Sequence, residues 1–166
     1  MRKLLLIAII AIAATPTFGQ GFPWEIFKPR TLKEVIDITT KAVRPDDSMF
    51  LSTNQLESKV DVTYTGQSRA TIAGRKDFIR IWAKMLEHPG TTSGGTIDEY
   101  VALFDREYLY KVDDTEFWIA TSKPITKYFD KELKPGDKMT LYLISIGAYR
   151  IKDRIDCVLL VEEYQK

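Results

Sequence analysis

Two β-prone runs at the end of the chain place the strongest limit on its fold. Residues 138–146 and 155–164 are rich in the branched and aromatic side chains that favour strands. Gly147 is expected to end or bend the first run, and a turn at Lys152-Asp153-Arg154 separates it from the second. The end of the chain is therefore predicted to contribute two long strands to a mainly β domain.

The first nineteen residues have the layout of a secretory signal peptide. Arg2 and Lys3 precede an uninterrupted apolar run, residues 4–14, and small residues then flank Phe18 before Gln20. Eleven apolar residues fall short of the roughly 20 that a membrane-spanning helix needs. We expect residues 1–19 to be removed and the mature chain to be periplasmic or secreted. The alternative is an uncleaved N-terminal anchor.

The remaining chain is close to neutral. Removing Arg2 and Lys3 from the 24 basic residues leaves 22 against 23 acidic residues, a net charge of −1. This balance lacks the basic excess of a general nucleic-acid binder and the polybasic tract that attracts anionic lipid. We expect no nucleic-acid partner and no membrane anchor after signal cleavage.

The chain contains a single Cys and a single His. That count excludes an internal disulfide framework and a Cys₂His₂ zinc cluster, so we expect neither a metal nor another cofactor. Cys157 lies in the last apolar run and is predicted to be buried and inert, as free cysteines commonly are. His88 stands before Pro89-Gly90 and is predicted to end a helix.

The N-terminal third is predicted to be an arm, a helix and a loop. Residues 20–30 form an arm rich in aromatic residues and proline. Thr31 and Glu34 have the spacing of a capping box, and the helix they start is predicted to end near Arg44-Pro45. Residues 45–58 are polar and are predicted to form a loop.

The remaining elements follow from apolar periodicity. Residues 59–65 alternate as a strand, and about 75–87 have helical spacing, with Phe78, Ile81, Trp82 and Met85 on one face. Residues 107–112 and 115–121 flank Asp113-Asp114 as a hairpin, and 122–133 form a short helix. Residues 100–104 fit either a helix or a strand.

From Lys59 onward, apart from the helix after the first strand, this order is β-β-β-α-β-β and resembles the OB-fold. The resemblance implies an α+β, mainly β domain with a five-stranded OB-like barrel. A helix would lie between strands 3 and 4, another after strand 1, and a helical arm at the N-terminus. The predicted units are 1–19, the signal peptide; 20–57, the arm, helix and loop; and 58–166, the barrel. The alternative is an open α+β sheet with helices on one face.

Three aromatic residues on the predicted hairpin form the first candidate ligand site. Tyr108 and Tyr110 share one strand face, and Trp118 is expected to lie across from them. Resemblance to the OB-fold implies a ligand on this face, because strands two and three of such barrels bind oligonucleotides or oligosaccharides. The alternative for all three is packing within the sheet.

A basic stripe on the second helix forms the other candidate site. Arg80 and Lys84, with Lys76, are spaced four residues apart, and Arg69 and Arg75 are expected to extend the stripe. Such a surface would suit an anionic ligand. The alternative is the ordinary solvated face of an amphipathic helix.

No residue set with the spacing of a known catalytic or metal motif occurs in the sequence. We therefore expect an exported, non-enzymatic binding module for an unknown glycan, peptide or envelope protein, bound at the barrel face or at residues 90–95. The alternatives are an accessory subunit of a cell-envelope complex, docked through its aromatic arm, and a hydrolase with a cryptic site. The sequence leaves the oligomeric state open.

Overall fold

A computed structural model of the chain describes residues 22–86 and 95–166. In these residues the strands are β1 (Lys28–Pro29), β2 (Met49–Ala70), β3 (Arg106–Val112), β4 (Thr115–Thr121), β5 (Lys138–Ile151) and β6 (Arg154–Gln165). The helices are α1 (Leu32–Lys41), α2 (Ala73–Met85), α3 (Ile97–Ala102), α4 (Lys123–Thr126) and α5 (Phe129–Glu132), with a 3₁₀ turn at Trp24–Ile26. The predicted signal peptide and His88 lie outside the described residues.

Five of the strands close into a barrel. Their order is β2-β3-β4-β6-β5, and β5 pairs again with β2. The long strand β2 makes both junctions possible, because its first part pairs with β5 and its last part with β3. Neighbouring strands are antiparallel except β4 and β6, which run parallel. The mainly β, α+β prediction is therefore confirmed, and the open-sheet alternative is wrong.

The helices occupy the predicted places in this order. The first strand is followed by α2, and α4 and α5 lie between the third and fourth barrel strands. Thr31 and Glu34 form the predicted capping box at the start of α1. The strand β1 lies outside the barrel and pairs in parallel with β2. Residues 100–104 fitted either a helix or a strand in the sequence. In the structure, 100–102 belong to the helix α3.

Two apolar cores lie on opposite sides of the barrel wall. The inner core fills the barrel and includes Tyr64, Tyr110, Leu141, Leu143 and Val161. The outer core lies between the wall and α2, α3 and the N-terminal arm, and includes Phe27, Trp82, Tyr142, Ile144 and Leu160. Because the central part of β5 is covered on both faces, its sequence is almost continuously apolar rather than alternating.

The predicted loop over 45–58 is wrong, because β2 begins at Met49. The polar residues that suggested a loop lie where the register against β5 shifts, between Leu51 and Leu56. Gly147 does not end β5: it has a φ of 138°, lies against the backbone of Phe50 and stands where the pairing of β5 shifts register against both β2 and β6. Residues 49–51 and 56–58 pair with β5 on either side of the shift and so hold the unpaired polar residues 52–55 within β2.

Candidate functional site

The barrel wall is open between β4 and β6. These strands pair only at Ala120 with Leu160 and at Thr121 with Val161. Toward Thr115 and Arg154 they diverge and enclose a cavity of about 420 Å³, here called the cleft. This volume lies within the roughly 300–1,000 Å³ range of ligand pockets.

Arg75 bridges the two walls of the cleft. Its Nη1 donates to the backbone oxygen of Trp118 on β4 at 3.1 Å, and its Nη2 donates to Oδ2 of Asp156 on β6 at 3.1 Å. The side chain is only 6% exposed. Arg75 lies in the first turn of α2, where the helix dipole disfavours a positive charge, so the neighbouring carboxylates are what hold it there.

Glu107 on β3 is the buried anchor of this arrangement. Its side chain has no exposed surface, and Oε1 lies 2.5 Å from Nη1 of Arg75. Oε2 accepts from Nε of Arg69 at 2.8 Å and lies 2.7 Å from Nη2 of the same residue. One buried carboxylate therefore orients two guanidinium groups, the arrangement that offsets the cost of burying charge.

Arg69 and Trp118 form the outer lip of the cleft. The guanidinium carbon of Arg69 lies 4.3 Å from the centre of the Trp118 ring, a cation–π contact. Because Glu107 holds Arg69 and the peptide of Trp118 contacts Arg75, the lip is fixed at two points. One face of the Trp118 ring is therefore already covered within the protein.

The floor of the cleft is apolar. Phe117 and Cys157 pack against the inner core but remain partly exposed, and Ile36 of α1 lies beneath them. Burial raises the pKa of the Cys157 thiol to about 11, with the Asp156 charge adding to the shift. The thiol is therefore protonated at neutral pH and is a poor nucleophile.

The rim carries one charge on each wall. Glu116 on β4 and Arg154 on β6 line the cleft, and both are exposed. Neither forms an ion pair with another described residue. The cleft thus combines an apolar floor with opposite charges at its mouth.

The three predicted aromatic residues do not share a face. Tyr110 is fully buried in the inner core, where its hydroxyl lies 3.0 Å from that of Thr121, and burial raises its pKa. Tyr108 also faces inward and is partly buried. Trp118 pairs with Leu109 on the outer face, so the expectation that it lies across from the two tyrosines is wrong.

The predicted basic stripe is divided. Arg80 is held by Asp77 and Asp98 on the surface, and Lys84 is exposed. The expectation that Arg69 and Arg75 extend this stripe is wrong, because Glu107 draws both toward the barrel. Neither Arg80 nor Lys84 lines the cleft.

Sequence reasoning did not single out Glu107, Asp156 or the role of Arg75. One signal was present: Arg75 precedes Phe78, Ile79 and Trp82 at the spacing of a buried helix face. A charged side chain on such a face requires a buried partner. The predicted face also included Ile81 and Met85, which are 42% and 41% exposed.

Two larger grooves of about 500 Å³ occur elsewhere in the described part of the chain. The first has Lys111, Lys138 and Lys166 at its edge; Lys166 is already bound by the backbone of Glu132 and by Asp137. The second lies beside Arg30 and Tyr142. Of the two grooves and the cleft, only the cleft is lined by a charged side chain that is more than nine-tenths buried.

Within residues 22–86 and 95–166, no three His, Cys, Asp or Glu side chains are grouped so that they could hold a metal ion. None of the helices described there has the length and apolar character to cross a membrane. Comparison with family models, curated proteins and solved structures gives no match.

Proposed function

We propose that this protein is an exported binding module whose ligand occupies the cleft between β4 and β6. The observation that carries the proposal is the cleft with its buried bridge, Arg75, fastened to both walls and to Glu107. A ligand site needs polar groups held in place before the ligand arrives. Export remains the expectation from residues 1–19.

We infer that the barrel is of the OB type. The strand order, the parallel third and fifth strands and the helix between the third and fourth strands support this assignment. OB barrels bind ligands on the face of strands two and three, which here are β3 and β4. Trp118 and Glu116 of β4 line that side of the cleft, and Arg69 of β2 contacts the ring of Trp118.

Binding fits this site better than nucleophilic catalysis. Cys157, the one thiol, has a raised pKa, and Asp156 is engaged by Arg75 and by the hydroxyl of Tyr149. A catalytic pair needs a nucleophile with a base in hydrogen-bond reach, and the described cleft residues contain no such pair.

The accessory-subunit alternative has less support. Its docking segment, the aromatic arm, is folded against the barrel: Phe27 is buried, and Phe22 and Trp24 contact the ring of Tyr142. Removing the arm would uncover the outer core. An arm that packs in this way contributes to the fold itself.

The test is to map ligand binding on the protein by NMR. Cell-wall oligosaccharides, short peptides and small carboxylates would be added separately to the ¹⁵N-labelled mature chain. We expect at least one class to shift the amides of Trp118, Cys157 and Arg154, and Trp118→Ala to weaken that binding. Lys84→Ala is the matched control and should have no effect. Shifts confined to Arg80 and Lys84, or no shifts with any class, would contradict the proposal.

A further inference from the structure

We propose that the ligand of the cleft is an extended peptide that adds as a strand between β4 and β6. This inference rests on the proposed function and names the class of ligand. It begins from the divergence of the two strands, which leaves backbone groups of both without a ladder partner between Thr115–Ile119 and Arg154–Leu159. Free strand edges are the surfaces to which peptides add.

The hydrogen bonds identify which groups of β4 point into the cleft. The backbone oxygen of Trp118 accepts from Arg75 inside the cleft, and the amide of Ser122 donates to the backbone of Val161 on β6. Alternate residues of a strand direct their N–H and C=O groups to the same edge. The amides of Glu116 and Trp118 therefore face the cleft, whereas those of Phe117 and Ile119 face β3.

Arg75 itself indicates what the cleft accepts. Its guanidinium donates to a strand carbonyl, as the amide of a neighbouring strand would, and reaches β6 from the same position. Arg75 lies at the end of the unpaired stretch, where β4 and β6 begin to pair. A short strand entering from the rim could use the remaining edge of each wall without displacing it.

The side chains of the cleft match an extended peptide. Inward-facing Phe117 and Cys157 provide an apolar floor, and outward-facing Glu116 and Arg154 provide one charge on each wall. Because residues of a strand point alternately to opposite faces, a peptide with alternating apolar and charged residues fits both. Since β4 and β6 are parallel, the peptide would have the same orientation relative to both, either parallel or antiparallel.

A glycan platform fits these observations less well. Sugars stack on open aromatic faces, but Tyr110 is buried and one face of Trp118 is covered by Arg69. The groups that the cleft does offer are backbone donors and acceptors over an apolar floor. Those groups recognise a polypeptide backbone.

The test uses a panel of acetylated, amidated seven-residue peptides in which Val or Leu alternates with Lys, Glu or Thr. Amide hydrogen exchange would be followed by NMR with and without each peptide. We expect binding to slow exchange at Glu116 and Trp118 while Phe117 and Ile119, already bonded to β3, stay unchanged. A matched peptide with N-methylated backbone amides should bind about ten-fold more weakly or worse, because it cannot complete the ladder.

The outcomes separate this inference from the proposed function. If an oligosaccharide or small carboxylate shifts the cleft residues while no peptide does, the peptide assignment is overturned and the binding cleft stands. Equal binding of the methylated peptide overturns strand addition. If no probe of any class affects the cleft, both proposals fall.

Discussion

Two junctions of the same barrel are closed in different ways. The junction of β2 with β5, the closed junction, has eleven pairs of residues in register. The junction of β4 with β6, the open junction, has two pairs and a charged side chain, Arg75, across the gap. A backbone ladder leaves no room for a ligand, whereas a side-chain bridge leaves a cleft. The difference separates the part of the barrel that holds the fold from the part that is suited to function.

The largest effect is expected from breaking the charge cluster of the open junction. Glu107→Gln leaves Arg69 and Arg75 without their shared carboxylate, and removing one partner of a buried pair costs about 3–5 kcal/mol. Urea denaturation would measure the loss. Glu116→Gln, on the neighbouring strand and exposed, is the control and should change stability by under about 0.5 kcal/mol. Similar effects of the two variants would contradict the cluster's role.

The closed junction is expected to be most sensitive to a substitution that disturbs its backbone. A Cβ at Gly147 would lie 2.1 Å from the backbone oxygen of Phe50, at a φ of 138°. Gly147→Ala should therefore cost about 2–4 kcal/mol, from strain and overpacking together. Gly136→Ala has a positive φ but open space around it, so strain alone should cost about 1 kcal/mol. Thermal and urea unfolding would compare the two variants. Equal losses of stability would mean that the close approach of Gly147 to the backbone of Phe50 is unimportant.

A smaller effect is expected at the lip of the cleft. Arg69→Ala loses the contacts with Glu107 and Trp118, but the arginine is 41% exposed, so solvent reduces the cost to about 1 kcal/mol. Tryptophan fluorescence should also change as Trp118 is uncovered. Arg80→Ala breaks only surface pairs and should cost under about 0.5 kcal/mol. A larger loss of stability for Arg80→Ala than for Arg69→Ala would contradict the structural role given to Arg69.

At neutral pH no effect is expected from Cys157, whose contribution to stability changes only at alkaline pH. Burial raises the pKa of Cys157 from its ordinary value near 9 to about 11, so the unfolded thiol ionises before the folded one. The stabilisation is complete below pH 9 and is lost as the pH rises toward 11. Alkylation by iodoacetamide should accordingly be slow at pH 8 and rise steeply only above pH 10. Rapid alkylation at pH 7 would show that the floor of the cleft is not apolar.

Local signals in the sequence predicted much of the fold. The capping box of Thr31 and Glu34, the hairpin at Asp113-Asp114 and the order of strands and helices each depend on residues close in the chain. The start of β2 did not follow from the sequence, because residues 49–51 and 56–58 are held in a strand by pairing with β5, which lies far away in the chain.

The candidate site was less accessible to prediction. The sequence analysis named Arg75 only as an extension of the basic stripe, and its partner Glu107 lies 32 residues away on another element. The alternation of side chains along β3 predicts that Glu107 points to the face opposite Tyr108 and Tyr110. It does not predict that α2 covers that face. Pairing across the barrel decides which of the polar positions are buried.

Amide hydrogen exchange along β4 of the ligand-free protein tests the open junction most directly. We expect exchange rates to alternate: Glu116 and Trp118 exchange fast because their amides face the cleft, while Phe117 and Ile119 are protected by β3. Uniform protection from Thr115 to Thr121 would mean that β4 and β6 are joined along their length. There would then be no cleft to hold a ligand.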